Sequence, residues 1–303
     1  MQQPLDLLDG DAIRTQLSDG ARAQLASLEI AWSLDSTNSE LMRRADGGAP
    51  SGSVVVADRQ RAGRGRRGRS WLSEPARSLT FSVLWRFAGR TERLAGLSLA
   101  VGVALARALE NLGAGGIGLK WPNDVILQTD CGHAKLAGIL VELSSDRRGA
   151  AAVIGIGLNL ETPSGDLPQA AAGLAEAMVR VPERHQVLAA ILGELAMTLD
   201  AFAVDGFAGQ KTGWLSRHAW QDRPVRVLGD GGAERDGICR GVDDDGALLL
   251  ERIGKRAFYD QMGLSLSEAY AHAGAVMVES MLLRDTDEGI SAFLEKRSPD
   301  WQE

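Results

Sequence analysis

An arginine- and glycine-rich segment lies between two stretches of the chain that have the pattern of β-strands. RAGRGRRGRSW spans residues 61–71. SVVVAD precedes it, and SLTFSVLWRF follows it with apolar residues at every second position, as expected of a strand. A segment this polar is a poor candidate for the core, and strands flank it on both sides. The pattern therefore predicts a loop inside a folded domain.

The positive charge of this loop is local, because the chain as a whole is acidic. The 303 residues carry a formal net charge of −7, which argues against a general nucleic-acid coat. Their length allows two domains, and a 45% share of hydrophobic residues allows a large core. Cys131 and Cys239 lack the spacing of a zinc site or a disulfide framework. No uninterrupted apolar run reaches the roughly 18 residues of a membrane span, and the first residues do not resemble a signal peptide. We therefore expect a cytoplasmic protein with no membrane partner.

Hydrophobic periodicity predicts a mixture of helices and strands. Residues 11–28 have apolar side chains at helical spacing, and residues 92–113 form a stronger amphipathic pattern with Thr91 as N-cap. Strands are predicted for EIAWSLD and, further along, for GLKWPNDVIL, AKLAGILVEL and AAAVIGIGLNL. Two more helices are predicted near 168–180 and 183–203.

GAGGIG, residues 113–118, matches the GxGxxG pattern of dinucleotide-binding loops but stands in the wrong context. In such loops the glycines follow a strand and open a helix, whereas here they follow a helix and precede a strand. We interpret them as a helix C-cap and a turn. The chain has no GxxxxGK[ST] P-loop, so a nucleotide would have to be bound by other means.

The chemistry of the segment 61–71 suits an anionic ligand. Glycine allows backbone N–H groups to approach an anion closely, and arginine adds planar, bidentate donors for phosphate or carboxylate. Composition alone leaves two other interpretations open, a solvated basic turn or an arm that binds RNA.

Three further segments combine polar groups with strand ends, and each is a weak signal alone. KWPND (120–124) is also what a simple turn between strands would contain. The lysine of AKLAGILVE (134–142) could equally extend to solvent beside an apolar strand. GIGLN (155–159) indicates close backbone approach and contributes one amide.

The order of these segments is far more specific than any one of them. DSTN (35–38), QRAGRGRRGRSW (60–71), KWPND, KLAGILVE and GIGLN follow one another as in the biotin protein ligase family, which the chain closely resembles over about residues 30–266. The resemblance implies that biotin reacts with ATP to give biotinyl-5′-AMP and pyrophosphate. The biotinyl group then passes to one lysine of a biotin carboxyl carrier protein domain. ATP, Mg²⁺ and biotin are thus the expected cofactors and substrates.

The same resemblance implies an α+β fold in which a mixed β-sheet with helices is followed by a small SH3-like barrel. Short apolar segments between Gly and Asp in residues 224–254 independently have a barrel signature. The domain boundaries that we expect are an N-terminal helical segment at 1–28, a catalytic domain at 29–221, an SH3-like domain at 222–266 and a helical tail at 267–303.

By motif match, the resemblance also implies roles for individual residues. Lys135 and Arg66 are the expected catalytic residues, and Trp71 is expected to pack on adenine. The expected biotin-binding residues are Ser36, Thr37, Asn38, Gln60, Gly63, Arg64, Arg66, Lys135 and Gly138. The expected residues for ATP and the adenylate are Arg66, Arg69, Trp71, Lys120, Asn123, Asp124 and Asn159, with Asp124 as a candidate ligand of Mg²⁺.

The reaction requires groups of these kinds. A carboxylate and a triphosphate repel each other, so cations must offset their charge as they approach. The mixed anhydride that forms is easily hydrolysed, so a mobile loop that covers it would protect it from water.

The two ends of the chain depart from the family pattern. About 30 residues precede DSTN, too few for the DNA-binding domain that some members carry, so we expect neither a repressor function nor a DNA partner. Residues 267–303, which include EGISAFLEKR, resemble the last helices of the enoyl-CoA hydratase (crotonase) family. We expect this tail to be a helical appendage without hydratase activity.

Other classes of function remain open at this point. An RNA-binding module would use the loop as a basic arm and would not turn over ATP. An interaction protein built on the tail would self-associate or recruit hydratase subunits. A lipoate or octanoyl transferase would share a related fold but would not be expected to carry GRGRRGRSW. The sequence is compatible with a monomer or a homodimer.

Overall fold

The structure is a computed structural model that describes two compact units of the chain. The described residues are 8–129, 132–146, 149–165, 167, 169–228, 234–251 and 264–281. One unit comprises Met1–Ala219 with Asp244–Ala247, and the other comprises Trp220–Asp243 with Leu248–Glu303.

A mixed seven-stranded sheet forms the centre of the larger unit. Its strands are β1 Ser27–Leu34, β2 Ser53–Gln60, β3 Ser78–Phe87, β4 Ile117–Lys120, β5 Asp124–Thr129, β6 Gly132–Asp146 and β7 Gly149–Asn159. Their spatial order is β1-β2-β3-β7-β6-β5-β4. β1 and β2 are parallel, and every other neighbouring pair is antiparallel. The predicted α+β fold with a mixed sheet is confirmed.

Helices cover both faces of this sheet. They are α1 Gly10–Gln16, α2 Asp19–Gln24, α3 Thr37–Asp46, α4 Leu97–Asn111, α5 Arg184–Asp205 and α6 Lys211–Leu215. α3 buries Leu41 and Ala45 against Val55, Leu84 and Val153 of the sheet. α4 and α5 pack on each other, and both are largely buried. Because helices cover both faces, β3 is buried along nearly its whole length, including the polar residues between its apolar ones.

The start of the chain differs from the single helix predicted for residues 11–28. Asp9 and Ser18 each cap a separate short helix, and the side chain of Ser18 accepts a hydrogen bond from the Ala21 amide at 3.3 Å. Leu17 has extended backbone angles and therefore separates α1 from α2. β1 already begins at Ser27, because its pairing with β2 outweighs the local helical periodicity.

The predicted N-cap of the fourth helix is also wrong. Thr91 begins a single 3₁₀ turn, Thr91–Leu94, and α4 starts only after Gly96. Gly96 has φ +74° and packs on Phe207 so closely that a Cβ would overlap its ring. Only glycine fits this turn, and α4 can begin only beyond it.

The described residues of the stretch 168–180, which are 169–180, do not form the predicted helix. The described part of this stretch contains only a 3₁₀ turn, Leu174–Glu176. Its backbone instead pairs with β6: the Lys135 amide donates to the Ala170 carbonyl at 2.8 Å, and the Ala172 amide donates to the Lys135 carbonyl at 2.9 Å. The helix near 183–203 is confirmed as α5.

GAGGIG is a helix end and a turn, as predicted. α4 ends at Asn111, Gly113 and Gly116 have φ of +99° and +70°, and β4 begins at Ile117. The glycines therefore lead out of a helix rather than into one, which excludes the dinucleotide-binding arrangement at this segment.

The smaller unit contains a three-stranded antiparallel sheet in its described residues. Its strands are β8 Pro224–Leu228, β9 Glu234–Val242 and β10 Leu248–Glu251, in the order β10-β9-β8. Burial raises the pKa of the Cys239 thiol on β9. Cys131 lies outside the described residues. The assignment of residues 222–266 as an SH3-like barrel stays a prediction.

Helix α7, Leu266–Met281, follows in the same unit. It falls where the helical tail was predicted to begin. The rest of the tail, including EGISAFLEKR, lies outside the described residues. The predicted domain boundaries likewise remain predictions.

Among the described residues, two helical stretches are long and apolar enough to cross a membrane. They are Thr91–Asn111 and Arg184–Leu215, and their most apolar windows are 67% and 56% buried inside the protein. Neither stretch is an uninterrupted apolar run of the kind that the sequence was found to lack, because both include polar residues. Buried core helices pass the same test of length and composition, so the two stretches are weak indications of a membrane span.

Candidate functional site

The ends of several strands bring the predicted site residues together at one edge of the large sheet. Asp35 and Ser36 follow β1, and the segment 61–71 leaves the end of the adjacent parallel strand β2. At the same edge Asn159 closes β7, opposite Ser78 at the start of β3. Residues far apart in sequence therefore meet here because the strands pair in this order.

The N-terminus of α3 forms a buried polar floor. Ser36 is its N-cap, with a side chain that accepts a hydrogen bond from the Ser39 amide at 3.4 Å. Thr37 donates to the side-chain oxygen of Gln60 twice, from its amide at 2.8 Å and from its hydroxyl at 3.1 Å. Ser36, Thr37 and Asn38 are each less than 5% exposed.

Ser82, which no motif in the sequence pointed to, connects the residues of this floor. Its hydroxyl lies 2.7 Å from that of Thr37 and 2.6 Å from Oδ1 of Asn38. Gly155 leaves the space that Asn38 occupies, since a Cβ at Gly155 would overlap its side-chain amide. The one sequence signal for Ser82 is a serine at a polar position of a strand with an otherwise strongly apolar pattern.

The segment 61–71, named here the arginine loop, folds back on itself. The Trp71 amide donates to the Gly63 carbonyl at 2.9 Å, and the Gly65 amide donates to the Arg69 carbonyl at 2.7 Å. A Cβ at Gly63 would overlap the Trp71 carbonyl, so this close approach requires glycine. The loop is thus a short hairpin that extends from the end of β2.

The arginine side chains of this loop have different surroundings. Arg64 is half exposed and contacts Glu142 on β6 at 2.8 Å. Arg66 is exposed and reaches the side-chain oxygen of Asn123 at 3.5 Å, the outer limit of a hydrogen bond. The side chain of Arg69 is exposed as well. Arg66 and Arg69 therefore remain accessible to a ligand.

Trp71 at the end of the loop lies flat on the sheet above two glycines. Gly138 and Gly157 are paired across β6 and β7, and a Cβ at Gly157 would overlap the indole ring. The ring centroid is 5.7 Å from Nζ of Lys135, within the range of a cation–π contact. Its Nε1 is buried and has no hydrogen-bond partner among the described residues. The loop thus places an aromatic surface beside the predicted catalytic lysine.

Lys135 and Asp124 form a charged pair next to this ring. Nζ of Lys135 lies 2.7 Å from Oδ1 of Asp124, and the two side chains are 20% and 16% exposed. The same Oδ1 lacks a partner with hydrogen-bond angles, so we describe the pair as a charge contact. The lysine does not extend into solvent, which was the alternative that its sequence left open.

A β-bulge explains how Lys135 reaches this position. Val125 pairs with Ala137 and Ile126 pairs with Lys135, so Leu136 is one extra residue in β6. In a regular strand, residues three apart point to opposite faces, yet Nζ of Lys135 would lie 3.3 Å from a Cβ at Gly138. The bulge therefore returns Lys135 to the face that carries Asp124, the cross-strand partner of Gly138.

The remaining predicted residues surround this pair. Asn123 donates to the Ile139 carbonyl at 2.8 Å, which leaves its side-chain oxygen toward Arg66. Asn159 is buried and donates to the carbonyls of Lys135 and Ala172 at 3.3 and 3.2 Å. Lys120 ends β4 with an exposed side chain. In the structure Asn159 holds the backbone of Lys135 in place, and its predicted role near the nucleotide stays a prediction.

The role of Asp124 as a ligand of Mg²⁺ stays a prediction, and the structure is compatible with it. Among the described residues, no group of three His, Cys, Asp or Glu side chains could hold a metal ion. Mg²⁺ bound with a nucleotide needs only one or two carboxylates, because the phosphates and water supply the other ligands. Asp124 meets that requirement with a partly accessible carboxylate.

Comparison with known proteins gives the class and then the family. Residues 32–159 match the biotin/lipoate A/B protein ligase family. The bifunctional ligase/repressor BirA of Salmonella typhimurium is 38% identical over 259 residues, which cover 84% of this chain and 77% of that protein. The biotin–[acetyl-CoA-carboxylase] ligase of Mycobacterium tuberculosis is 33% identical, covering 80% of this chain and 90% of that protein. The chain therefore belongs to the biotin protein ligase family, as its motifs predicted.

A solved structure agrees with this assignment. The biotin protein ligase from Aquifex aeolicus in complex with biotin and ATP is 31% identical and matches with a TM-score of 0.62. The match covers 74% of this chain and 91% of that one. The predicted enzyme class, a biotin ligase that uses ATP, is confirmed.

A second, short match concerns the resemblance to hydratases. Enoyl-CoA hydratase domain-containing protein 3 of Danio rerio is 53% identical over 49 residues, which are 16% of this chain and 17% of that protein. A segment this short is a small fraction of a hydratase. The match therefore supports a crotonase-like segment, and it gives no support for hydratase activity.

Proposed function

We propose that this chain joins biotin to ATP at the strand-end site and passes the biotinyl group to a lysine of a carrier domain. The observation that carries the proposal is the Lys135–Asp124 pair, which lies beneath the arginine loop and beside Trp71. Membership of the biotin protein ligase family supplies the reaction, and the geometry supplies the roles of the residues.

In the first step, an oxygen of the biotin carboxylate attacks the α-phosphorus of ATP, and the bond to pyrophosphate breaks. Lys135 and Arg66 would stabilise the negative charge that the transition state concentrates around that phosphorus. Mg²⁺, held by Asp124 and the phosphates, would supply additional positive charge. The products are biotinyl-5′-AMP and pyrophosphate.

In the second step, the amine of a carrier-domain lysine attacks the biotinyl carbonyl. The bond to AMP breaks, AMP leaves, and an amide joins biotin to the carrier. Until the carrier arrives, the arginine loop would cover the mixed anhydride and exclude water from it.

Two regions of the site fit the two halves of the intermediate. The uncharged polar floor of Ser36, Thr37, Asn38 and Gln60 suits the ureido ring of biotin, which both donates and accepts hydrogen bonds. Gly63 and Gly138 are proposed to shape the biotin half indirectly, because they let the backbone and ring of Trp71 approach closely. Trp71 offers a flat surface for adenine, and Arg64, Arg69, Lys120 and Asn159 are proposed to complete the two halves.

We also propose that the enzyme works in the cytoplasm, where its carrier domain would be made. The two cysteines of the sequence, Cys131 and Cys239, lack the spacing of a disulfide framework, which is consistent with a reducing compartment.

Incubation with biotin, MgATP and an apo carrier domain, followed by avidin blotting, tests the proposal. We expect labelling of one carrier lysine that requires all three components. Labelling by a variant with Lys135→Ala at the wild-type rate would contradict the role of this lysine, and failure of the wild-type protein to label any carrier would contradict the function.

A further inference from the structure

Glu142 joins the arginine loop to the polar floor. Its Oε1 contacts Nη2 of Arg64 at 2.8 Å, and its Oε2 accepts a hydrogen bond from Nδ2 of Asn38 at 2.9 Å. The carboxylate thus uses one oxygen for the loop and the other for the floor. The motifs assigned Glu142 no role.

The contact between Glu142 and Asn38 is one end of a continuous chain of polar side chains. From Asn38 the chain continues through the Ser82 hydroxyl to Thr37 and then to Gln60. Gln60 is the last residue of β2, immediately before the arginine loop begins. The loop is therefore held at two points, at its start and at Arg64, by the same set of hydrogen bonds.

The members of this chain have little freedom to move independently. Asn38 and Ser82 are 3% and 0% exposed, and Gly155 leaves just the space that the Asn38 amide fills. Asn38 also donates to the Leu140 carbonyl at 3.2 Å, which fixes its orientation toward β6. In such a buried network, a shift of one group changes the hydrogen bonds of its neighbours.

We propose that Glu142 is a positioning residue that couples occupation of the biotin pocket to closure of the arginine loop. The inference rests on the proposed function, which places biotin on Thr37 and Asn38. A ligand that fixes these two residues also fixes the carboxylate of Glu142, and with it the guanidinium of Arg64. The coupling is reciprocal, so a closed loop also strengthens biotin binding.

Glutamate is the side chain that this position requires. Both of its neighbours are donors, and a carboxylate accepts on both oxygens. Glutamine has nearly the same shape but one acceptor, so its NH₂ group would face either Arg64 or Asn38, donor against donor. Glu142→Gln therefore breaks one of the two contacts with little change in volume.

The test measures the coupling directly in the chain of 303 residues. Amide exchange of residues 61–71 is recorded with and without biotin, together with biotin affinity by calorimetry and the dissociation rate of biotinyl-5′-AMP. In the Glu142→Gln variant we expect the biotin-induced protection to fall about tenfold and the adenylate to dissociate about tenfold faster. We expect KM for biotin to rise by a similar factor, while kcat of adenylate formation stays within about threefold, because Glu142 does not touch the reacting atoms.

Asp35→Asn is the matched control. Asp35 pairs with Arg61 of the same loop at 2.8 Å, but both side chains are more than 60% exposed. Loss of this pair should leave loop protection and the KM for biotin unchanged, since exposed ion pairs contribute little. Equal effects of the two variants would contradict a special role for Glu142.

A second variant covers the case in which Glu142→Gln does not fold. Arg64→Gln removes the same contact from its half-exposed end, together with the 3.3 Å hydrogen bond from Nη1 of Arg64 to the Ser39 hydroxyl, and should lose at least as much loop protection. Wild-type protection in a folded variant of either kind would overturn the coupling. A wild-type enzyme that binds no biotin would instead overturn the proposed function, so the two failures are distinguishable.

Discussion

Gly157 determines where Trp71 can lie. A Cβ at this position would overlap three atoms of the indole ring, whereas the glycine lets the ring lie on the sheet beside Lys135. The absence of a Cβ at Gly157 is thus as important to the site as the side chains of the other residues.

Gly157→Ala should displace the ring and weaken binding of biotinyl-5′-AMP by about tenfold or more, since a stacked aromatic surface contributes on the order of 1–3 kcal/mol. Gly193→Ala is the control, because a Cβ at that α5 position meets nothing within 4 Å. It should leave binding unchanged and stabilise the helix by up to about 1 kcal/mol. Equal affinities of the two variants for the adenylate, measured by calorimetry, would show that Trp71 is not the nucleotide platform.

Glu40 stabilises the helix that carries the polar floor. Two hydrogen bonds lower the pKa of the Glu40 carboxyl from an ordinary 4.5 to about 2. The bond from Arg43 has the larger effect, and the bond from Arg44 has the second largest. A depressed pKa means that the carboxylate contributes stability above pH 4.5 and that this contribution disappears as the pH falls through 2.

Glu40→Gln should therefore lower the free energy of unfolding by about 1 kcal/mol at pH 7 and by less as the pH approaches 2. Glu92→Gln, which removes a more exposed pair with Arg90, should have almost no effect. Urea unfolding at pH 7, 4 and 2.5 measures the free energy of unfolding of both variants and of the wild-type protein. If the loss of stability in Glu40→Gln does not shrink as the pH falls, the stabilising role of the Glu40 carboxylate is contradicted.

At the scale of elements, local periodicity predicted much of the fold. The alternation of β3, the amphipathic pattern of α4 and the length of α5 are properties of adjacent residues, and the structure contains all three elements. The short segments that identified the family are likewise contiguous in sequence.

Features that depend on pairing between distant strands were not predictable in this way. The bulge at Leu136 exists only in register with β5, and the partner of Ser82 lies 44 residues away at Asn38. For the same reason, residues 168–180 were predicted as a helix although part of their backbone pairs with Lys135.

The arginine loop is the element on which retention of the intermediate depends. Arg66→Gly removes a cation that reaches over the site while the strands beside it remain. We expect biotinyl-5′-AMP to dissociate faster and to label bystander lysines, and we expect amide exchange of residues 61–69 to slow when ligand binds to the wild-type protein. An unchanged dissociation rate of the adenylate would exclude Arg66 from the cover.

At the scale of the whole molecule, the site residues that we propose belong to the larger unit, whereas α7 belongs to the smaller one. The comparison with a hydratase covers only 16% of the chain. The tail therefore has no assigned part in the chemistry.

A chain that ends at Leu266 should keep the kcat of biotin transfer within a few-fold and should lose some stability or change its oligomeric state. Neither form should hydrate crotonyl-CoA. Avidin blots, thermal melts and sedimentation compare the two proteins. Loss of biotin transfer by a well-folded truncated chain would show that the tail belongs to the catalytic or carrier-binding apparatus.

Biotin-dependent exchange of labelled pyrophosphate into ATP tests whether Lys135 and Asp124 form the reacting centre, because it reports adenylate formation without any carrier. We expect exchange by the wild-type enzyme and a loss of roughly 10²-fold or more in the Lys135→Ala variant. Lys211→Ala, which removes a surface pair with Asp244, should exchange at the wild-type rate. Wild-type exchange by a folded Lys135→Ala variant would contradict the assignment of the reacting centre to the Lys135–Asp124 pair.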